Sequence, residues 1–146
     1  MSNVSIFGSH NAAIAIEHEG EILVVELERF LGRKNVGCFA YSVIADPKEV
    51  IQNVIAYAND FFSSTLTFEH CIYVEMEMES TVVRDFLKEF INATYYTREH
   101  HHVAHAAGTF YQSNFQKAFI ISFDGGSDDG CFNMYLADRQ NGITFV

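Results

Sequence analysis

Four of the seven histidines of this chain lie within six positions, in the segment "REHHHVAHAAGTFY". His101 and His105 are four residues apart, so on a helix both imidazoles project from one face, about 5–6 Å apart at Cβ. His102 and His105 form a second such pair, three residues apart, whereas His100 lies too close to the expected helix start to be assigned. Two imidazoles on one helical turn form half of a common metal site, which needs at least one further ligand.

Asp124 is the strongest candidate for that further ligand. It ends the apolar run "AFIISF" and opens the glycine-rich stretch "DGGSDDG", so its carboxylate is expected at the C-terminal end of a strand. Ligands of open α/β sheets bind at that end. A helix packed on the sheet could bring His101 and His105 there, which predicts a two-His, one-carboxylate site for divalent iron, manganese or zinc.

The turn after Asp124 is also a candidate phosphate site, because glycines leave backbone N–H groups open to phosphate oxygens. The cofactor-binding residues predicted from this feature are Gly125, Gly126 and Ser127. A simpler interpretation stays open for both sites. Histidines are most often surface or satisfied core residues, and Asp128 and Asp129 are interpreted as solvated turn residues.

The composition narrows the class of protein. The chain has 146 residues, of which 49% are apolar, enough for the core of one ordinary domain or of part of a larger one. A formal net charge of -10 disfavours non-specific binding to nucleic acid or anionic membranes. Three widely spaced cysteines favour reduced thiols, and the N-terminus lacks a signal-peptide pattern, so we expect a cytoplasmic protein.

The hydrophobic patterns predict a mixed α/β fold. The strands "VSIF", "AAIAIEH" and "EILVVELE" come first, with a tight turn at Glu19-Gly20, and a looser segment covers residues 30–45. Asp46 and Pro47 then begin a helix, as cap and first residue, ahead of an apolar stripe. The later elements are predicted as strand "HCIYVEM", helix "STVVRDFLKEF", strand "ATYYT", a helix containing the histidines, the buried strand "KAFIISFD", and strands "CFNMYLAD" and "ITFV". The apolar side of the histidine helix is expected to consist of Val103, Ala106, Ala107, Phe110 and Tyr111.

A weak internal repeat runs through this order. The series strand, glycine loop, strand, Gly turn, strand occurs in "SIFGSHNAAIAIEHEGEILVV" and again in "IISFDGGSDDGCFNMYLADRQNGITFV". One glycine loop per copy is typical of a duplicated nucleotide-binding fold. We therefore predict a first lobe over residues 1–115 and the truncated start of a second over 116–146, with a chance likeness of two meanders as the alternative.

The segment "HHVAHAAGTFYQSNFQKAFIISFDG" resembles the signature of the O-carbamoyltransferases of nodulation-factor and antibiotic biosynthesis. Independently, "GSHNAAIAIEHEGEILVVELERF" is similar to the N-terminal motif of the same family. The resemblance covers nearly the whole chain, but only the N-terminal part of such an enzyme. It implies a ribonuclease-H-like lobe of the actin-like ATPase superfamily, with a mixed sheet and flanking helices, plus the first strands of a second lobe.

The resemblance also implies an activity. Such enzymes form carbamoyl-adenylate from ATP and carbamoyl phosphate and transfer the carbamoyl group to a hydroxyl of a small molecule. By this resemblance His101 and His105 match the HxxxH metal ligands and Asp124 matches the aspartate of the DG motif. Fe²⁺ is the metal expected first, with Mn²⁺ and Zn²⁺ as alternatives. The C-terminal remainder of the enzyme, with a further aspartate ligand, would follow Val146.

The implied reaction needs positive charge near the phosphates, because a poorly nucleophilic, anionic oxygen must attack an anionic phosphate group to form the anhydride. By resemblance, His10 matches the histidine of the family's GxHD motif, Arg29 the arginine of its ERF motif, and Lys34 a following basic position. These three are the candidate catalytic residues, and Arg33 is a further candidate source of positive charge. For Arg33 and Lys34 a solvated loop stays open as the alternative. Asn11 stands where the family has an aspartate.

Two alternatives stay open at this point. One is another actin-like ATPase, either sugar-kinase-like or transferring threonylcarbamoyl to tRNA. The other is a non-enzymatic, metal-binding half-domain. The expected partner is a small-molecule hydroxyl acceptor, and a homodimer is one option for the assembly.

Overall fold

The computed structural model describes residues 1–9, 11–34, 36–37, 46–74, 80–126 and 129–146. The described chain forms two compact units, Met1–Arg98 and Glu99–Val146, here the first and the second unit. The division into lobes at residue 115 stays a prediction. The elements are β1 Ser2–Phe7, β2 Ala13–His18, β3 Glu21–Glu26, α1 Leu27–Leu31, α2 Pro47–Phe61, β4 Phe68–Val74, α3 Ser80–Lys88, β5 Ala93–Glu99, α4 His101–Gln112, β6 Lys117–Phe123, β7 Phe132–Asp138 and β8 Gly142–Phe145.

The first unit is built on a mixed five-stranded sheet in the order β3-β2-β1-β4-β5. Strands β1, β2 and β3 form an antiparallel meander, and β4 runs parallel to β1. Because side chains alternate between the two faces of a strand, every second residue of β1 and β2 enters the core. Val4, Ile6, Ile14 and Ile16 are accordingly at most 1% exposed. The mixed α/β fold class predicted from the sequence is thus confirmed.

Helix α2 begins as its sequence predicts. Asp46 is extended, and its carboxylate accepts a hydrogen bond from the backbone N–H of Glu49 at 3.1 Å. Pro47 occupies the first turn, where its missing N–H costs nothing. The apolar stripe is buried against the sheet through Val50, Ile51, Val54 and Ala58.

The predicted strand "EILVVELE" is too long by two residues. The strand ends at Glu26, and Leu27–Leu31 forms the short helix α1. Leu27 is fully buried, and Gly32 ends the helix in the left-handed conformation with φ 63°. Five residues are too few to show a helical period, so the pattern did not reveal this helix.

The second unit packs α4 against an antiparallel sheet in the order β6-β7-β8. Strand β6, predicted to be buried, is apolar on its outer face: Phe119, Ile121 and Phe123 are 55%, 57% and 80% exposed. The inner face carries the buried Ser122. The apolar side of α4 was also predicted too broadly, because Ala106 and Phe110 are buried while Tyr111 is exposed.

Two further expectations concern the chain as a whole. In the part of the chain that the structure describes, no helix combines the length and the hydropathy needed to cross a bilayer. Both cysteines in the described ranges, Cys71 and Cys131, are free. Burial raises the pKa of the Cys71 thiol to about 12, so this thiol is inert at neutral pH.

Candidate metal centre

Helix α4 and strand β6 position the candidate ligands. His100 is extended at the N-cap, and helical geometry begins at His101. Residues 101 and 105 therefore lie one helical turn apart on the same side of α4. Asp124 directly follows the last residue of β6, the strand on which α4 packs most extensively in the second unit. The first turn of the helix thus meets the C-terminal end of the strand.

The three predicted ligands converge. Nε2 of His101 lies 2.8 Å from Oδ2 of Asp124 and 2.9 Å from Nε2 of His105. Nε2 of His105 lies 3.5 Å from the same carboxylate oxygen. The side chain of His101 is 7% exposed, whereas those of His105 and Asp124 are 56% and 42% exposed. The group is therefore anchored on one side and open to solvent on the other.

These distances fit a shared metal ion. Metal–ligand bonds of about 2.1 Å place two ligand atoms about 3.0 Å apart at right angles and about 3.4 Å apart in a tetrahedron. The three observed separations run from 2.8 to 3.5 Å. His101, His105 and Asp124 could accordingly hold a metal ion. A set of two histidines and one carboxylate suits divalent iron, manganese or zinc and leaves coordination positions for other ligands.

Hydrogen bonding alone accounts less well for this cluster. A neutral imidazole has one N–H, so Nε2 of His101 would have to share a single proton between Asp124 and His105. The lone pair of His105 then faces the carboxylate across 3.5 Å. A cation attracts all three atoms at once and removes this conflict.

Asp124 keeps its negative charge over a wide pH range. The hydrogen bond to His101 is the main cause, and the backbone N–H of Gly125, which donates to Oδ1 at 2.6 Å, is the second. Together they lower the pKa of the Asp124 carboxyl from its usual 3.8 to about 2. The site therefore presents one fixed negative charge to a cation.

The phosphate contacts predicted for the glycine turn stay a prediction. The backbone N–H of Gly125 donates to Oδ1 of Asp124 in this structure. Gly126 is half-buried with φ 149°, a conformation that favours glycine. Ser127 lies outside the described residues. The backbone N–H of Asp124 donates a hydrogen bond to the carbonyl of Cys131, with 3.1 Å between nitrogen and oxygen.

His102 has a structural role that the sequence did not reveal. Its side chain is fully buried, with Nδ1 2.6 Å from Oγ of Ser122 and Nε2 3.0 Å from the carbonyl of Gly130. A carbonyl only accepts, so Nε2 carries the proton and Nδ1 accepts from the serine hydroxyl. Both nitrogens are engaged, which removes His102 from the alternative His102–His105 pair. The signal was Ser122, a polar residue facing inward from an apolar strand.

The predicted catalytic residues belong to the first unit. Arg29 lies in α1, has an 84% exposed side chain and pairs with Glu26. Lys34 is exposed after the end of α1. His10 lies outside the described residues. The structure therefore assigns no shared site to these three residues.

Fold and site together define an α/β protein with a candidate two-His, one-carboxylate metal centre. A scan against protein-family models gives no match, and a search of curated proteins gives none either. The function is therefore inferred from the residues of this chain, from their geometry, and from the resemblance of its two motifs to the O-carbamoyltransferases.

Proposed function

We propose that the chain is the N-terminal portion of an O-carbamoyltransferase. The enzyme would hydrolyse carbamoyl phosphate to carbamate and phosphate, and join the carbamate to the α-phosphate of ATP with release of pyrophosphate. It would then transfer the carbamoyl group from the adenylate to a hydroxyl of a small molecule, with release of AMP. The observation that carries the proposal is the convergence of His101, His105 and Asp124 within 3.5 Å of one another. These are the three residues that the motif resemblance implies as metal ligands. The first and the last of them, His101 and Asp124, are 23 positions apart in the chain.

The architecture supports the finer fold that the proposal requires. The first unit contains an antiparallel meander continued by helices and by β4, parallel to β1. The second unit contains another antiparallel meander, β6-β7-β8. A repeated meander is what an actin-like ATPase fold would need, with a ribonuclease-H-like first lobe and the first strands of a second.

Each residue of the site has a proposed role. His101 and Asp124 are anchored by their mutual contact, and His105 completes the set on the open side. A divalent metal, Fe²⁺ first and Mn²⁺ or Zn²⁺ as alternatives, would supply charge neutralisation for phosphate groups. Gly126 and Ser127 would provide backbone donors to the same groups. Arg29, Lys34 and His10 stay candidate sources of positive charge for the reaction, on the motif resemblance alone.

The apolar outer face of the second sheet is evidence that a further part of the enzyme packs on it. Large apolar side chains on this face are Phe119, Ile121, Phe123, Phe132 and Leu136, each at least 52% exposed. Their strands pair in register, Phe119 opposite Leu136 and Phe123 opposite Phe132, so the side chains form one continuous surface. Apolar patches of this kind are normally covered. The proposed C-terminal remainder would cover it and supply the remaining metal ligands.

The decisive experiment follows radiolabelled carbamoyl phosphate in the presence of ATP. The chain is assayed together with the polypeptide that completes its second lobe. We expect label in carbamoyl-adenylate, and its loss in His101→Ala and in His105→Ala. Full activity in the double variant refutes the assignment of the site. Phosphate transfer to a sugar without any carbamoyl-adenylate would instead identify another ATPase of the same superfamily.

A non-enzymatic metal-binding half-domain is the second candidate. It is favoured by one observation: all three ligands lie within the second unit, residues Glu99–Val146. A self-sufficient metal module binds its ion tightly as the isolated 146-residue chain. The incomplete site of an enzyme half binds weakly, because three ligands leave coordination positions to water. Metal titration of the isolated chain separates the two.

A further inference from the structure

Strand β3 forms an edge of the first sheet, and within the described ranges no backbone group bonds to its outward side. It comes at the end of the strand order, paired with β2 alone among the described strands. The N–H of Leu27 donates to the carbonyl of Ala12. Because hydrogen-bonded pairs alternate along an antiparallel ladder, this bond identifies which residues of β3 bond to β2. By this alternation Leu23 and Val25 bond to β2, while the N–H and C=O groups of Ile22 and Val24 point away from it.

The side chains of this edge do not protect it. Ile22 and Val24 are 67% and 60% exposed. Natural edge strands are usually protected by lysine, proline, a bulge or an inward charge. Residues 21–26, "EILVVE", include no lysine and no proline, and their register with β2 is continuous. Their two charged residues, Glu21 and Glu26, lie at the two ends, so the centre of the strand is uncharged. The backbone of β3 is therefore a template for one more strand.

A groove lies beside this edge. It has a volume of about 440 Å³ and is lined by Leu23, Val24, Val25, Glu26, Arg29, Phe30 and Tyr57. The rings of Phe30 and Tyr57 stand 6.2 Å apart and are both partly exposed. Alternate side chains of an added strand point to the same face, so apolar ones would enter the groove at every second position.

The charge of the edge indicates what kind of strand fits. Five glutamates occur between residues 17 and 28, and the first lysine or arginine of the chain is Arg29. A second copy of this chain, with its net charge of -10, would bring the same acidic surface against itself, which is unfavourable. A strand with basic residues at its ends is complementary.

We propose that β3 binds an extended segment of another protein by strand addition. The segment has alternating apolar side chains for the groove beside Phe30 and Tyr57, and lysine or arginine at its ends. Main-chain hydrogen bonds to Ile22 and Val24 provide the affinity, and the groove provides the selection. This inference is independent of the metal centre and of the proposed reaction.

The test uses a fluorescent nine-residue peptide of alternating valine and threonine with a lysine at each end. We expect saturable binding to the full chain that weakens with added salt. A peptide with glutamates at its ends, or with a central proline, should not bind. Absence of binding by the lysine peptide overturns the proposal, and so does equal binding of the glutamate peptide.

Three substitutions locate the binding. Val24→Pro removes an outward N–H, which an edge strand tolerates, and should weaken binding about tenfold through lost hydrogen bonds. Val24→Thr keeps that N–H and should bind normally. Tyr57→Ala should weaken binding of the peptide without changing β3 itself. Unchanged binding in both Val24→Pro and Tyr57→Ala overturns the proposal.

A charge test completes the design. Glu21→Lys should weaken the lysine peptide, whereas Glu89→Lys, which makes the same change in net charge at an exposed residue after α3, should not. Equal effects of the two substitutions would mean that only net charge matters, which overturns the proposed charge complementarity at β3. A second copy of this chain is the other strand that could pair with β3, and sedimentation at rising protein concentration tests for it. A dimer that Val24→Pro abolishes would mean that β3 pairs with a second copy, which overturns the proposal.

Discussion

Nε2 of His101 lies 2.8 Å from Oδ2 of Asp124, although 23 residues separate them in the chain. The contact joins the first turn of α4 to the residue after β6, so it depends on how the helix packs on the strand. His105, one turn further along α4, reaches the same oxygen at 3.5 Å. The cluster is thus a product of one helix–strand packing.

Metal binding should depend on each of the three side chains. We expect His101→Ala, His105→Ala and Asp124→Asn each to reduce Co²⁺ or Zn²⁺ affinity of the chain. Affinity should fall by more than about 10–100-fold, the loss that is typical when a residue that only contacts a ligand is replaced, because here a direct ligand is removed. Competition titration with a metal indicator measures it. His70→Ala is the control, since that ring stacks on Tyr95 in the first unit. Retained affinity in the three site variants would contradict the assignment.

His102 should contribute stability rather than metal ligation. Replacing it by alanine leaves the Ser122 hydroxyl and the Gly130 carbonyl without their partner and creates a cavity at a fully buried position. We expect a loss of about 2–4 kcal/mol in the free energy of unfolding of the second unit. Urea unfolding of metal-free protein measures it. Ser122→Ala, which removes only one hydrogen bond, should cost about 1 kcal/mol.

The ionised carboxylate of Asp124 should contribute to the folding stability, and this contribution should be lost at acid pH. Its carboxyl pKa is lowered from 3.8 to about 2 in the folded protein. A depressed pKa stabilises the fold above the unfolded value, and this stabilisation is lost as the pH falls through about 2. Metal-free wild type and Asp124→Asn should therefore differ in urea midpoint by a constant amount above about pH 4, and the difference should shrink towards pH 2. A difference that grows on acidification would refute this assignment.

The outer face of the second sheet should bind hydrophobic probes. The isolated chain should enhance the fluorescence of anilinonaphthalene sulfonate through the patch that includes Phe119 and Phe123. Replacing both by serine should lower the signal by roughly two fifths, the share of two side chains among five. Phe61→Ser is the matched control, because Phe61 is 54% exposed on α2, outside the patch. An equal decrease in the control would show that the face has no special affinity.

Local residue patterns determined most of the elements of this protein. Asp46 and Pro47 marked the start of α2, and the tight turn at Glu19-Gly20 marked the first hairpin; Glu19 and Gly20 both have positive φ. The spacing of His101 and His105 already placed them on one side of a helix. Such features depend on interactions a few residues apart, which a sequence displays directly.

Only the tertiary structure decided which groups meet across the chain. His101 and His102 are neighbours with equal chemistry, yet one faces Asp124 and the other is held by Ser122 and Gly130. The outer face of β6 is exposed although its residues are as apolar as those of a buried strand. Rotation of α4 about its axis and the side of β6 on which it packs set both outcomes. Those variables depend on long-range packing, which hydrophobic periodicity along the chain does not encode.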